Sequence, residues 1–544
     1  MGTRTLIEEY LAVLSGLYGS QSIPIEAGIR RNHQLHDDPN FPGTSSSLLR
    51  EFLNCLARQL VSKASREVLA LLVSRCNGVD SGPLFIIAGN ANVEEKTQNH
   101  LTFVINSLKN IREKRKQDTT GSHRSSCRLE DTLIRKMLDF SWAKVRMKLS
   151  HKQVQHFLDS AGPQILNYEN TRTGDDFDRL RIQAITHLIT TLGVFQDFAH
   201  EQHLDRSLFK YLLKLFEFLS RYWQHDITSG GMNHLLEHWE NVLEFTRAYY
   251  LLMFNVKTRF PLLHCLDFRP GGLARMIDKV LSPYQSCITI AAISHTHEGA
   301  LNFLFEGTPQ VRAVPSKSRS TSLDISPSHI LSLLSTSNPH APAGQCETLS
   351  EVVYQNLCSK LSAKLDSSRT RLTFTAVPAC HCEATLLAFL DNLPVRLRLQ
   401  TFHYLGISKL SCRTCQALIN SYNETLLRAT VRRMRMPVDN YGTHDKIYFP
   451  VFPPIFEDTR FQNDIENKLL AFLMSSVCTY VNDPARQAGH SDSTVQSAVN
   501  IEGTHLIHLQ SSSRLAVLFR LIVASLLAAT HYGTLAKHSP SAQP

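Results

Sequence analysis

The sequence lacks the marks of a secreted, membrane-spanning or wholly disordered chain. There is no basic start followed by an uninterrupted apolar run. Glu8 and Glu9 break the apolar pattern of residues 1–14, so no signal peptide is expected. Long apolar runs are missing as well. The nearest, Leu515 to Ala529, is shorter than a usual spanning helix and carries Arg520 in its middle. It reads as a packed or surface-lying helix, and no transmembrane anchor is expected. Cysteine is thin, with 12 residues in 544 and none of the dense spacing of a small disulfide scaffold. That points to reduced thiols and an intracellular location, cytoplasmic or nuclear. Extreme charge is absent too: a net +9 over this length favours a polyanionic partner without identifying one. With 43% hydrophobic and 19% charged residues, most of the chain should fold.

The length calls for about two to four domains. Leu49, Phe52, Leu53, Leu56 and Leu60 repeat at helical steps, as do Ile182, Ile185, Ile189 and Leu192, and Leu208, Leu212, Phe216 and Leu219. A mainly helical N-terminal region is therefore expected over residues 1–305. Pro83 to Ala88 is too short for periodicity to decide between buried strand and helix. The basic stretch from Arg112 through Lys116 to Ser126 has no apolar period and reads as a mobile loop that can contact nucleic acid or simply be solvated. Residues 306–346, with Pro309, Pro315, Pro327, Pro339 and Pro342 among many serines, read as a linker.

The texture then changes. Helix over 349–361, strand over 371–377, helix over 381–390, strand over 402–410, helix over 412–426, strand over 446–452 and helix over 465–480 alternate, which predicts a three-layer α/β/α domain at 347–482. Residues 483–544 complete the chain as a polar loop and the C-terminal apolar helix.

Two clusters in that domain carry chemistry, Ala379-Cys380-His381-Cys382-Glu383 and Ser411-Cys412-Arg413-Thr414-Cys415. An open zinc site needs ligands that converge from separate parts of the chain and leave one position for water. Each cluster falls at a strand-to-helix transition, where a helix N-terminus favours thiolates. His381, Cys412 and Cys415 supply three ligands. Glu383, two residues after His381, sits beside the metal without ligating it, which suits a proton carrier. This is the inventory of a zinc-activated hydrolytic deaminase, in which zinc acidifies a water and Glu383 moves protons to the ring nitrogen and to departing ammonia. Cys412 and Cys415 form the sole Cys-x-x-Cys of the sequence. His238-Trp239-Glu240 repeats the histidine–glutamate spacing with no such pair after it.

These residues resemble the zinc-dependent cytidine-deaminase-like superfamily, over about Arg371 to Phe452. Within it the chain is similar to the divergent Orientia-type branch expanded in mushroom-forming fungi, in Tyr404-Leu405-Gly406-Ile407-Ser408-Lys409-Leu410-Ser411-Cys412 and in the block from Gly442 to Tyr448. The resemblance implies a zinc-dependent deaminase acting on a nucleobase, cytosine-type favoured and adenine open, in a nucleoside, nucleotide or nucleic acid. Ser411 stands where most members carry proline. Of the usual two strands before the histidine helix, the sequence reading places one and seeks the other at Cys287 to Ile293.

Rival readings use the same residues. Cys380 or Cys382 joining Cys412 and Cys415 would close the zinc site and make it purely structural. The chain would then be a non-enzymatic helical interaction protein, its N-terminal region binding a protein partner. His234-Leu235-Leu236-Glu237-His238 has the spacing of one metalloprotease class, although its apolar neighbours read as helix packing. His295-Thr296-His297-Glu298 reads as a polar turn. Tyr404, Tyr422, Tyr441 and His444 are candidates to bind a base, and Arg432, Arg433 and Arg435 to contact phosphate, each set against a core or solvated role.

Overall fold

Leu69 to Ser74 reads Leu-Ala-Leu-Leu-Val-Ser and forms strand β1, whose six residues are all buried. A run this apolar with no alternation suits a strand covered on both faces, and β1 lies at the centre of a five-stranded mixed sheet. In the computed structural model the described residues are 2–18, 44–63, 67–75, 81–117, 124–144, 283, 286–287, 289–295, 299–378, 380–409, 411–428, 435–440, 447, 449 and 454–482. Helices α1 (Thr3–Tyr18) and α2 (Thr44–Gln59) precede β1, and β2 (Ser81–Gly89), α3 (Glu95–Gln117) and α4 (Arg124–Phe140) follow it. Further on come β3 (Thr308–Val314), β4 (Ser318–Asp324), α5 (Pro327–Ser337), α6 (Ala343–Lys360) and β5 (Arg371–Pro378). Then follow α7 (Cys382–Asp391), α8 (Val395–Gln400), β6 (Tyr404–Ile407), α9 (Arg413–Arg428), β7 (Asp439–Asn440) and α10 (Thr459–Asn482).

The chain divides into two units. One joins Met1–Leu133 to Ser286–Ala498, and the other joins Ile134–Gln285 to Val499–Pro544. Of the second, the described residues are 134–144, in which α4 ends, and 283. No helix among the described residues is long and apolar enough to cross a membrane.

The sheet runs β3-β2-β1-β6-β7. β1 is antiparallel to β2, with Leu69 opposite Gly89, and antiparallel to β6, with Ala70 opposite Ile407. β3 is parallel to β2, and β7 to β6. Alternate residues serve two different sides. Ala70, Leu72, Leu84, Ile86, Leu405 and Ile407 join one hydrophobic cluster with Leu386 and Leu387 of α7. Gly406 faces α2 instead: a Cβ there would lie 2.6 Å from the Leu53 Cβ and 2.7 Å from its carbonyl carbon. Asn54 of α2 reaches the same strand, accepting from the Ile407 N–H at 3.1 Å and donating to the Tyr404 hydroxyl at 2.6 Å.

Several expectations are corrected. The N-terminal region is not merely a helical unit in front of the zinc domain, because β1 and β2 form the centre of the sheet that β6 joins. Residues 306–346 are no linker: they hold β3, β4, α5 and the start of α6. Their prolines sit where an ordered chain tolerates them. Pro309 lies in β3, an edge strand; Pro327 opens α5; and Pro342 is the N-cap of α6. Arg112 to Lys116 is the last part of α3, where Lys114, Arg115 and Lys116 complement the negative end of the helix dipole. Cys287 to Ile293 is helical where described and is not the second strand sought there. β5 is a strand, but it pairs with β4 in a separate two-stranded sheet. The helices expected at 182–192, 208–219 and 515–529, the histidine motif at 234–238, and most of the strand expected at 446–452 lie outside the described residues.

The Gly406 contact is closer than real side chains adopt, and part of it is backbone. Gly406→Ala should therefore cost about 1–3 kcal/mol by overpacking, read as a lower denaturant midpoint. Gly344, in the first turn of α6, has nothing within 4 Å of the same built position. Gly344→Ala should leave the midpoint unchanged or raise it, with a gain of up to about 1 kcal/mol.

Candidate metal centre

Both motif clusters occupy helix starts. His381 is the N-cap of α7, with φ −69° and ψ 159°, and its carbonyl accepts from the Thr385 N–H at 2.9 Å. Its side chain makes no capping bond. The first helical N–H, that of Cys382, is donated instead to Asn90 Oδ1 at 2.9 Å, so the imidazole is spared that task. Cys412 has the same relation to α9: its carbonyl accepts from the Gln416 N–H at 3.0 Å, and its Sγ accepts from the Cys415 N–H at 3.4 Å.

Strand order brings these two starts together. Because β1 lies between β2 and β6 and runs antiparallel to both, the C-terminal ends of β2 and β6 flank the N-terminal end of β1. Asn90, just past β2, holds the start of α7. Beyond β6, the Ser408 N–H donates to the Leu69 carbonyl at 2.9 Å while its hydroxyl accepts from the Leu69 N–H at 2.9 Å. The turn into α9 is tied once more at buried Ser411, whose hydroxyl accepts from Asn440 Nδ2 at 2.9 Å. A hydrogen bond to β7 thus fixes the backbone where a proline ring would otherwise restrict it.

At this junction His381 Nδ1 lies 3.4 Å from Cys412 Sγ and 3.4 Å from Cys415 Sγ. The three donor atoms lie within 4.8 Å of one another. Tetrahedral zinc with Zn–S of about 2.3 Å and Zn–N of about 2.0 Å separates nitrogen from sulfur by about 3.5 Å. The donor set therefore fits zinc in element type and in spacing. Cys382 is not part of it, since its thiol donates to Glu383 Oε2 at 3.3 Å.

The electrostatics are those of anions crowded out of water. Glu383 is 3% exposed. Burial raises its carboxyl above the ordinary value, the Cys412 thiolate adds to the rise, and His381 opposes it. Cys412 and Cys415 titrate as a pair. The hydrogen bond between their side chains holds Cys412 well below its ordinary value, with His381 assisting, and holds Cys415 well above it. For His381, burial disfavours the cation, but Cys412 and Glu383 raise it above its ordinary value.

The remaining candidates go elsewhere. Tyr404 is buried, with Phe402 beside it at 6.0 Å between ring centroids and Arg50 at 5.7 Å from its ring. Tyr422 donates to Asp391 Oδ1 at 3.1 Å and packs on Phe456 and Phe461. Both rings are packed among core residues. His444, Tyr441, Arg432 and Arg433 lie outside the described residues. Arg435 is committed to Asp391, at 2.7 Å from Nε and 3.2 Å from Nη2, so it does not await a phosphate. His295 is held between Arg115 at Nδ1, 2.6 Å, and Glu130 at Nε2, 2.9 Å. Asn90 and Asn440, which set the two helix starts, were not singled out in the sequence. Asn90 lies 292 residues before the N–H it accepts from, and no local pattern marks it.

Residues 380–454 match the family model for OTT_1508-like deaminases. No curated protein and no solved structure matches the chain. The matched segment contains His381, Glu383, Cys412 and Cys415, and it places this part of the chain in the Orientia-type branch of the cytidine-deaminase-like superfamily.

Proposed function

We propose that this protein is a zinc-dependent hydrolytic deaminase of a nucleobase, with a cytosine-type base favoured. His381, Cys412 and Cys415 are the metal ligands and Glu383 is the acid/base. The observation that carries the reading is the pairing of a three-donor cluster with a separate, buried carboxyl two residues from His381 that acts electrostatically on His381 and Cys412. A structural zinc has no use for such a carboxyl. The helices on the two sides of the sheet support an α/β/α three-layer domain assembled from both ends of the first unit. The described cysteines are all free thiols, in keeping with a reducing compartment, cytoplasmic or nuclear.

Zinc bound by these ligands would supply Lewis acidity, lowering the pKa of water at the site. The protein's own part is proton management. Glu383, with its carboxyl raised by burial, accepts a proton from the attacking water, passes it to the ring nitrogen next to the amine-bearing carbon, and returns for the proton that leaves with ammonia. Burial keeps bulk water from competing for that proton. Asn90 and Ser411 act at one remove, by fixing the helix starts from which the ligands project.

Glu383→Gln keeps the shape of the side chain and removes its acid/base function. It should retain zinc and lower ammonia release by about a hundredfold or more, measured on a panel of nucleosides, nucleotides and single-stranded nucleic acids. Full activity in this variant, or none in the parent protein on any panel member, contradicts the enzyme reading.

A second test concerns the ligand set. Cys380→Ser combined with Cys382→Ser should still bind about one zinc per chain, since neither thiol belongs to an open three-ligand site. His381→Ala should bind substoichiometric zinc, and chelator should then no longer lower its melting temperature as it does that of the parent. Loss of zinc from the double serine variant, by elemental analysis, would favour the closed structural site.

A further inference from the structure

α7 and α9 carry the candidate ligands at their N-terminal ends, and the two helices are joined again at a second point. Tyr422 of α9 donates its hydroxyl hydrogen to Oδ1 of Asp391, the last residue of α7, at 3.1 Å. Both meeting points keep one register. His381 and Cys412 are 31 residues apart in sequence, and so are Asp391 and Tyr422. The helices therefore lie alongside each other and run in the same direction, with the ligands at one end of the pair. The hydrogen bond falls about 15 Å further along both axes, at a rise of about 1.5 Å per residue. On α9, Cys415 and Tyr422 are two turns apart and share a face.

Apolar packing alone does not call for this second point. Asp391 is 3% exposed and stands at the negative end of α7, where a helix disfavours an anion. Arg435 offsets that charge through Nε and Nη2, at 2.7 Å and 3.2 Å from the two carboxylate oxygens, and lies over the Phe461 ring at 4.1 Å. The ion pair is complete without Tyr422. The tyrosine ring lies 5.9 Å from Phe456 and 5.3 Å from Phe461 between centroids, and a phenylalanine would fill the same space. Its hydroxyl, in a residue 1% exposed, is penalised by burial unless it is bonded, and Asp391 is the group that bonds it. Burial and the Asp391 charge both push the phenol above its ordinary range, so the proton stays on the oxygen as a donor.

Building on the three-ligand reading of the metal centre, we infer that Asp391 and Tyr422 are positioning residues for it: their hydrogen bond sets the alignment of α7 and α9, and through it the reach from His381 to both thiols. A tilt of about 4° between helices held about 15 Å away moves their ligand ends by about 1 Å. That is a large error for a site whose nitrogen and sulfurs stand 3.4 Å apart. Glu383, in the first turn of α7, moves with His381.

The test loads the full chain with cobalt(II) in place of zinc, because the ligand-field bands of a tetrahedral cobalt site report its geometry. Tyr422→Phe should change those bands and lower zinc affinity, read by competition with a chromogenic chelator, by about tenfold. The metal-free variant should melt at nearly the temperature of the metal-free parent. Asp391→Asn keeps an oxygen that can accept from Tyr422 while removing the charge that faces Arg435. It should lower the melting temperature of the metal-free protein more than Tyr422→Phe does, and change the cobalt bands less. Parent bands and parent zinc affinity in Tyr422→Phe overturn the inference. So does weaker zinc binding with unchanged bands, which marks a general loss of stability. If Tyr422→Phe does not fold, bands in Asp391→Asn that match the parent's support the inference, and altered bands overturn it. A parent protein that binds neither metal contradicts the metal centre itself, whereas parent-like bands in Tyr422→Phe sink the positioning role alone.

Discussion

Two cysteines, a histidine and a glutamate cannot share one water-poor pocket without a counter-charge. Like charges about 4 Å apart, at the effective dielectric of a partly buried site, oppose each other by about 4 kcal/mol. The chain shows the consequence in the direction of each group: Cys412 carries the negative charge readily, and Glu383 and Cys415 are driven towards their neutral forms beside it. A divalent cation between the two sulfurs and Nδ1 relieves that conflict, and it does so while leaving Glu383 outside the donor set. The carboxyl is then the member of the group that can exchange protons.

That arrangement imposes a demand on the fold, and the strand order meets it. Two helix starts must point at one spot with their first side chains turned away from ordinary capping. Antiparallel pairing of β1 with both β2 and β6 brings two chain ends to the same edge. Asn90 then takes over the cap of α7, releasing His381, while Cys412 caps α9 with the sulfur that also belongs to the metal cluster. In α9 the capping sulfur is one of the three clustered donor atoms, so a metal held there would act on the helix start as well.

This explains which parts were legible in the sequence. His381, Glu383, Cys412 and Cys415 are close in chain order within each cluster, and their chemistry is distinctive, so spacing alone brought them out. Helices such as α2 and α9 have apolar periods that read to within a few residues, whereas α10 starts at Thr459, ahead of the expected Ile465. β1 had no such signal, because a strand buried on both faces loses its alternation and looks like any apolar run. The segment with β3, β4 and α5 was hidden by composition: its prolines mark an edge strand and helix starts, and serine between them reads like a linker when the pairing partners are far away in sequence. Tyr404 and Tyr422 show what sequence leaves out, since nothing in their spacing tells of the Asn54 and Asp391 side chains that their hydroxyls meet.

The distance between partners also bears on what the matched segment is. Residues 380–454 contain all four chemical groups but, among the described strands, only β6 and β7 of the five-stranded sheet. All four residues of β6 are buried, and its neighbour on one side is β1, more than three hundred residues earlier. Loop-closure entropy rises by only about 0.6 kcal/mol for each doubling of length, so separating β1 from β6 by a second unit is thermodynamically mild. Removing β1 is not mild: it would expose the hydrogen-bonding edge and the apolar face of β6 together, and it would remove the Leu69 contacts that hold the turn into α9. The chemistry is thus local in sequence, while the rigidity that keeps His381 within reach of both thiols is supplied from the far end of the chain.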